Sequence, residues 1–322
     1  MIFDLHVDFI IQQRLFNYNP LRAHKPGIKG QPLFWHADVP RMLEAGYTGA
    51  CLGIHYYPWE SEAGFAEMHK QIDYLDTVIA KDSRVLRVEE RADWRRAVEQ
   101  GKLALAPGVE GAHMLNGKLG RVEDLRKRGV TYLTITHFSK NLAATPSLGR
   151  GANETDGLTS FGRDLVQALE DADITIDLAH VNTPGVLDIC KLATKPLFCT
   201  HTGVKGAYDY ARNITDEEID GIVATNGVIG IMFAPKYLTG KVRVDSRCVL
   251  DHIDYVIRRT GNKHIALGSD YDGWIPIPND MRDCRDISLI EEGLRARGHD
   301  DETVARVMGQ NAFELLCGDR HS

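Results

Sequence analysis

Met1-Ile2-Phe3-Asp4-Leu5-His6-Val7-Asp8 opens the chain as an apolar run with a histidine and an aspartate two positions apart. Read as a β-strand, the run sends alternate side chains to one side. His6 and Asp8 then aim a nitrogen and a carboxylate at one point, which is half of a metal site. An isolated His-x-Asp is a weak signal, and a hydrogen-bonded pair at a strand end explains it as readily. Its weight comes from Glu110, His180, His201 and Asp270, which stand at the ends of later apolar runs. That is the pattern of one site assembled from many strands.

The runs that read as strands are Ile2–Val7, Thr48–His55, Leu103–Val109, Tyr132–Thr136, Thr175–Ala179, Pro196–Thr200, Gly227–Phe233 and His264–Ser269. Most are rich in Ile, Val, Leu or Thr, as parallel strands buried on both faces are. Helical patterns separate them. One starts at Asp38-Val39-Pro40, a cap followed by an early proline. Others cover Met68–Ala80, Arg91–Gly101, Val122–Gly129, Ser160–Ala172, Arg247–Gly261, Ile287–Gly298 and Asp301–Leu316, and Thr215-Asp216-Glu217-Glu218 reads as a capping box. Arg84–Val88 is a short apolar piece between two helices. The longest irregular stretches are Phe9–His36, Ser139–Leu158 and Gly203–Ile214.

Eight βα units predict a parallel sheet with right-handed crossovers, closed into a (β/α)8 TIM barrel formed by a single domain over residues 1–322. An open doubly wound sheet is the rival. The candidate ligands separate the two, because strand C-terminal ends ring one mouth in a barrel and spread along an edge in an open sheet.

The 322 residues are 43% hydrophobic and 26% charged, with a formal net charge of -7. This suits a globular chain with a large core. No basic stripe points to nucleic acid, and no run approaches a membrane span. No signal-peptide pattern precedes Asp4. The six scattered cysteines read as thiols of a reducing cytoplasm. Cys199, two positions before His201, shares its face on strict alternation and is a lesser ligand candidate.

Two histidines at successive strand ends, His180 and His201, favour ligation, since neutral imidazole is the commonest metal ligand. Glu110 sits among small residues in Gly108-Val109-Glu110-Gly111, and a carboxylate can bridge two cations. Asp270 lies nearer its strand end than Asp272, which reads as a turn former before Gly273. His137 is either a sixth ligand or a donor facing substrate, and His113 reads as loop packing. Arg212 is either a solvated surface arginine or a bidentate partner for a carboxylate. A His, Asp and Glu set without cysteine suits Zn²⁺ or a similar divalent ion. His6, Asp8 and Glu110 can hold one metal, and Glu110, His180 and His201 another. A binuclear centre of this kind activates a bridging hydroxide.

Taken together, Asp4-Leu5-His6-Val7-Asp8, Gly108-Val109-Glu110-Gly111, Tyr132-Leu133-Thr134-Ile135-Thr136-His137, Gly157-Leu158-Thr159-Ser160-Phe161-Gly162, Ile176-Asp177-Leu178-Ala179-His180, Ala211-Arg212-Asn213 and Gly268-Ser269-Asp270-Tyr271-Asp272-Gly273 resemble the renal (membrane) dipeptidase family. The resemblance runs from Asp4 to the final helix. It implies a zinc-dependent dipeptidase with two metals, His6 and Asp8 on one, His180 and His201 on the other, and Glu110 bridging. It places His137 and Arg212 as substrate-binding residues, the latter on a terminal carboxylate, and Asp270 as the acid/base. His137 would also stabilise the oxyanion. A homodimer is implied as well. Leu5, Val7, Ala179 and Thr202 depart from the family pattern without removing a ligand. The alternatives are another small-amide or N-acyl amino-acid hydrolase of the amidohydrolase superfamily and a non-catalytic metal-binding barrel.

Overall fold

The computed structural model describes residues 1–25, 35–56 and 60–320. Its strands are β1 (Ile2–Val7), β2 (Tyr47–Ile54), β3 (Val85–Arg87), β4 (Leu103–Glu110), β5 (Tyr132–Thr134), β6 (Thr175–Asp177), β7 (Phe198–Thr202), β8 (Val228–Ile231) and β9 (Ile265–Leu267). They pair in parallel in the order β2-β1-β9-β8-β7-β6-β5-β4-β3, and a β2–β4 pairing closes the ring. Eight strands make the barrel. β3 pairs only with the start of β4, Val85 opposite Leu103, while β5 takes over that edge from Gly108 to Glu110.

The fold is therefore the predicted (β/α)8 barrel with one added strand. Arg84–Val88, read as a short apolar piece, supplies β3. Other elements also differ from expectation, among them a short helix at Pro235–Thr239. The stretch Phe9–His36 is not wholly irregular, because Phe9–Phe16 is a helix. Thr183–Leu192 is a helix that the hydropathy pattern hid, although Asn182 caps it and a proline opens it. The closing helix is broken. Asp301–Ala305 and Asn311–Leu316 flank a wider turn at Arg306–Gln310. A Cβ on Gly309 would lie 2.8 Å from Phe3 N and 3.0 Å from Met1 O, so the break seats this segment against the backbone of β1.

Side chains alternate between two buried layers. Leu103 and Leu105 join the large cluster between strands and helices. Ala104 and Ala106 join Phe3, Leu5, Tyr132 and Phe198 in the barrel interior. Trp94, Leu315 and Leu316 extend that interior cluster. No helix among the described residues is long and apolar enough to cross a membrane.

Candidate metal centre

Strict alternation does not by itself deliver the site histidines. Asp4 to Val7 spans three steps on β1, whereas their partners Ala50 to Leu52 span two on β2. The extra residue is a bulge, which re-aims a side chain. Leu5 stays in the interior cluster and His6 turns to the mouth beside it. The same event recurs on β7, where Cys199 to Thr202 pairs with Ile229 to Ile231. It sends His201 to the site while Cys199 packs in the outer apolar cluster, so the bulge removes Cys199 from ligand candidacy.

Asp8 follows β1 and precedes the helix Phe9–Phe16, yet its side chain makes no cap hydrogen bond. Aspartate is a strong N-cap residue, and here its carboxylate faces the cavity instead. His180 and Asp270 stand just beyond β6 and β9 with φ of 67° and 62°. Left-handed backbone at non-glycine residues is uncommon and clusters at functional sites.

Glu110 is the hub. Its Oε1 lies 3.0 Å from His180 Nε2, 3.4 Å from His201 Nε2 and 3.7 Å from His6 Nε2. Its Oε2 lies 3.5 Å from His137 Nε2 and 3.4 Å from His55 Nδ1. His6 Nε2 is 3.4 Å from Asp8 Oδ1, and the Nε2 atoms of His180 and His201 are 3.0 Å apart. Ligand atoms fall within 4.8 Å of one another in three groups: His6, Asp8 and Glu110; Glu110, His180 and His201; and His6, His201 and Asp270.

A second layer fixes the rings. Tyr132 Oη is 2.7 Å from His6 Nδ1, and Thr200 Oγ1 is 2.8 Å from His201 Nδ1. Asp177 accepts from the Thr200 and Thr134 hydroxyls. Each arrangement leaves Nε2 as the atom presented to the cavity, as outer partners of metal-bound histidines do.

Burial works against every charge here. It opposes the His6 imidazolium, but Asp8 and Glu110 outweigh it and lift the group to about 10. Burial, aided by Arg212, takes His180 down to about 3. Burial and the His6 and Arg212 charges hold His201 well below its usual range. Burial alone would raise Glu110, but the His6 charge and hydrogen bonds from His180 and His55 hold it well below the usual carboxylate range. Asp270 is raised well above the carboxylate range by burial and then by Asp8.

The donor set fits a divalent cation. His6 Nε2 and Asp8 Oδ1 are buried with no hydrogen-bond partner among the described residues, and buried polar atoms without partners are costly. Carboxylates and the neutral imidazoles of His180 and His201, facing one point with His6, whose proton a bound cation would displace, supply what Zn²⁺ or a similar ion takes.

A cavity of about 560 Å³ opens above these groups, lined among others by Asp8, His55, Glu110, His137, His180, Arg212 and Asp270. Arg212 is buried and donates to His201 O at 2.9 Å, which excludes the solvated surface arginine. Asp272 is more than a turn former, since its buried carboxylate accepts from the His36 and Ala37 backbone. His113 does pack, its Nε2 2.9 Å from Ser139 Oγ. The residue that sequence reasoning missed is His55. Its signal was its place at the end of the second apolar run.

A sequence profile described as membrane dipeptidase (peptidase family M19) matches residues 1–317. The chain belongs to the membrane dipeptidase family. It is accordingly a hydrolase of a metallopeptidase family. Among curated proteins, dipeptidase tcpJ of Claviceps purpurea is 29% identical over 297 residues, 87% of this chain and 68% of the relative. Among solved structures, a family M19 metallopeptidase named dipeptidase AC is 25% identical with a TM-score of 0.88, covering 98% of both chains. A Rhodobacter sphaeroides metallopeptidase, solved with a phosphinate mimic of the dipeptide L-Ala-D-Ala, has a TM-score of 0.86 at 23% identity, again covering 98% of both chains. That second likeness speaks for the fold of this membrane dipeptidase relative.

Proposed function

We propose that this protein hydrolyses the amide bond of dipeptides, using two divalent cations, zinc foremost. His6 and Asp8 would hold one, His180 and His201 the other, with Glu110 shared. The observation that carries the reading is Glu110, whose Oε1 faces three imidazole nitrogens within 3.7 Å, two on β1 and β7 and one just beyond β6. A cation pair supplies Lewis acidity toward the scissile carbonyl and lowers the pKa of water.

The chain's own residues do the rest. Asp270 lines the cavity beside Glu110 and His137, where its carboxylate would take a proton from the attacking water and hand it to the leaving amine. His137, kept neutral by burial, can donate to the oxygen on which negative charge develops. Arg212 has one guanidinium nitrogen on His201 O and lines the cavity, so it can clamp a terminal carboxylate and align a short substrate.

Six unpaired cysteines support a reducing, cytoplasmic setting. The function is tested by screening zinc-reconstituted protein against L-L and L-D dipeptides beside lactones and N-acyl amino acids. Turnover of dipeptides above the other classes is expected. Turnover confined to the other classes contradicts the reading.

A further inference from the structure

We infer that the site selects dipeptides whose amino-terminal residue carries a bulky apolar side chain. The inference rests on the dipeptidase reading above and names its substrate class.

Large apolar side chains are exposed at one part of the barrel mouth. Leu15 is 45% exposed, Phe16 51%, Trp35 43% and Trp274 42%. All four lie on the segments that follow β1 and β9, which are neighbours in the ring. Leu15, Trp274 and Ile275 line the same cavity as Glu110 and Asp270, and the Phe16 ring is 5.8 Å from Trp274. Exposed apolar groups gathered beside a polar site mark a binding surface.

Trp274 is held there at a conformational cost. Its φ is 62°, in the left-handed region that a bulky residue rarely adopts. The preceding residue explains the placement. A Cβ on Gly273 would fall 2.0 Å from Asp270 Oδ1 and 2.7 Å from Asp8 Oδ2, so this segment runs directly over the two carboxylates. The apolar wall therefore begins where the reacting groups end.

Orientation follows from the ring. Arg212 enters from the loop after β7, two places from β9 and three from β1. A dipeptide with its carboxylate on Arg212 and its amide over Glu110 and Asp270 extends its amino-terminal residue away from β7. Met232 and Tyr237, after β8, line the cavity beside Arg212, and Leu15, Trp274 and Ile275, after β1 and β9, form its apolar wall farther from Arg212. A cavity of about 560 Å³ lies within the range of roughly 300–1,000 Å³ that takes drug-sized ligands, which leaves room beyond two small residues.

The test compares kcat/KM of the zinc-loaded enzyme for Phe-Ala, Leu-Ala, Ala-Ala and Ala-Phe, with binding of free L-phenylalanine and L-alanine measured calorimetrically. Phe-Ala and Leu-Ala are expected to exceed Ala-Ala by about tenfold or more, the scale of filling an apolar pocket, and Ala-Phe is not. L-phenylalanine is expected to bind more tightly than L-alanine. Trp274→Ala and Leu15→Ser should shrink both ratios, and Trp274→Phe should restore them; circular dichroism checks that each variant folds. Hydrolysis of all four peptides without preference, a preference for Ala-Phe, or ratios unmoved by both substitutions overturns the inference alone. No hydrolysis of any dipeptide by the wild type overturns the dipeptidase reading and the inference with it.

Discussion

Tyr132 places its hydroxyl 2.7 Å from His6 Nδ1 inside the barrel, which directs the opposite ring nitrogen toward Asp8 and Glu110. The tyrosine ring occupies space that any side chain on Gly108 would fill, since a Cβ there would lie 2.0 Å from the ring. Tyr132→Phe should lower metal affinity by roughly 10- to 100-fold, the usual effect of losing an outer partner of a ligand histidine. Competition with a chelator of known affinity measures it. Wild-type affinity in the variant would show that the hydroxyl does not orient His6.

Gly53 on β2 gives a steric test of the same corner. A Cβ there would fall 2.1 Å from Asp8 Oδ1 and 2.9 Å from His6 Nε2. Gly53 has no positive φ, so alanine costs little in the backbone, and the atoms displaced are the ends of side chains. Gly53→Ala should keep its circular dichroism spectrum and lose bound metal. Full metal content by elemental analysis would mean that Asp8 is not a ligand.

Asp270→Asn removes the proposed proton carrier while preserving shape. Metal content should stay near that of the wild type, and kcat should fall by about 10²-fold or more. A metal-replete variant with near-normal kcat would remove Asp270 from the proton-transfer role.

Arg212 serves His201 as well as substrate, through its bond to the His201 carbonyl. Arg212→Lys keeps a positive charge but loses the planar fork that grips a carboxylate. KM should rise more for free dipeptides than for their C-terminal amides. Equal losses on both would point to the His201 contact alone.

Much of this site was legible because strand C-terminal ends converge in a barrel whatever the loops do. His6, Asp8, Glu110, His180 and His201 each close or follow an apolar run, and the structure brings all five together. Two features were not legible. The bulges at His6 and His201 depend on pairing with β2 and β8, which local alternation cannot register, and so Cys199 looked like a neighbour of His201. The strand Val85–Arg87 is three residues long, too short for periodicity to distinguish from a connection. The helix Thr183–Leu192 carries its start signals in sequence, Asn182 and Pro184, but buries only Gly185, Val186 and Ile189, too few to mark an apolar stripe.

Anomalous diffraction at the zinc edge, on crystals of reconstituted protein, tests the paired-cation site most directly. Two peaks roughly 3.5–4 Å apart, one beside His6 and Asp8, the other beside His180 and His201, with Glu110 between them, are the predicted result. A single peak, or peaks remote from Glu110, would contradict it.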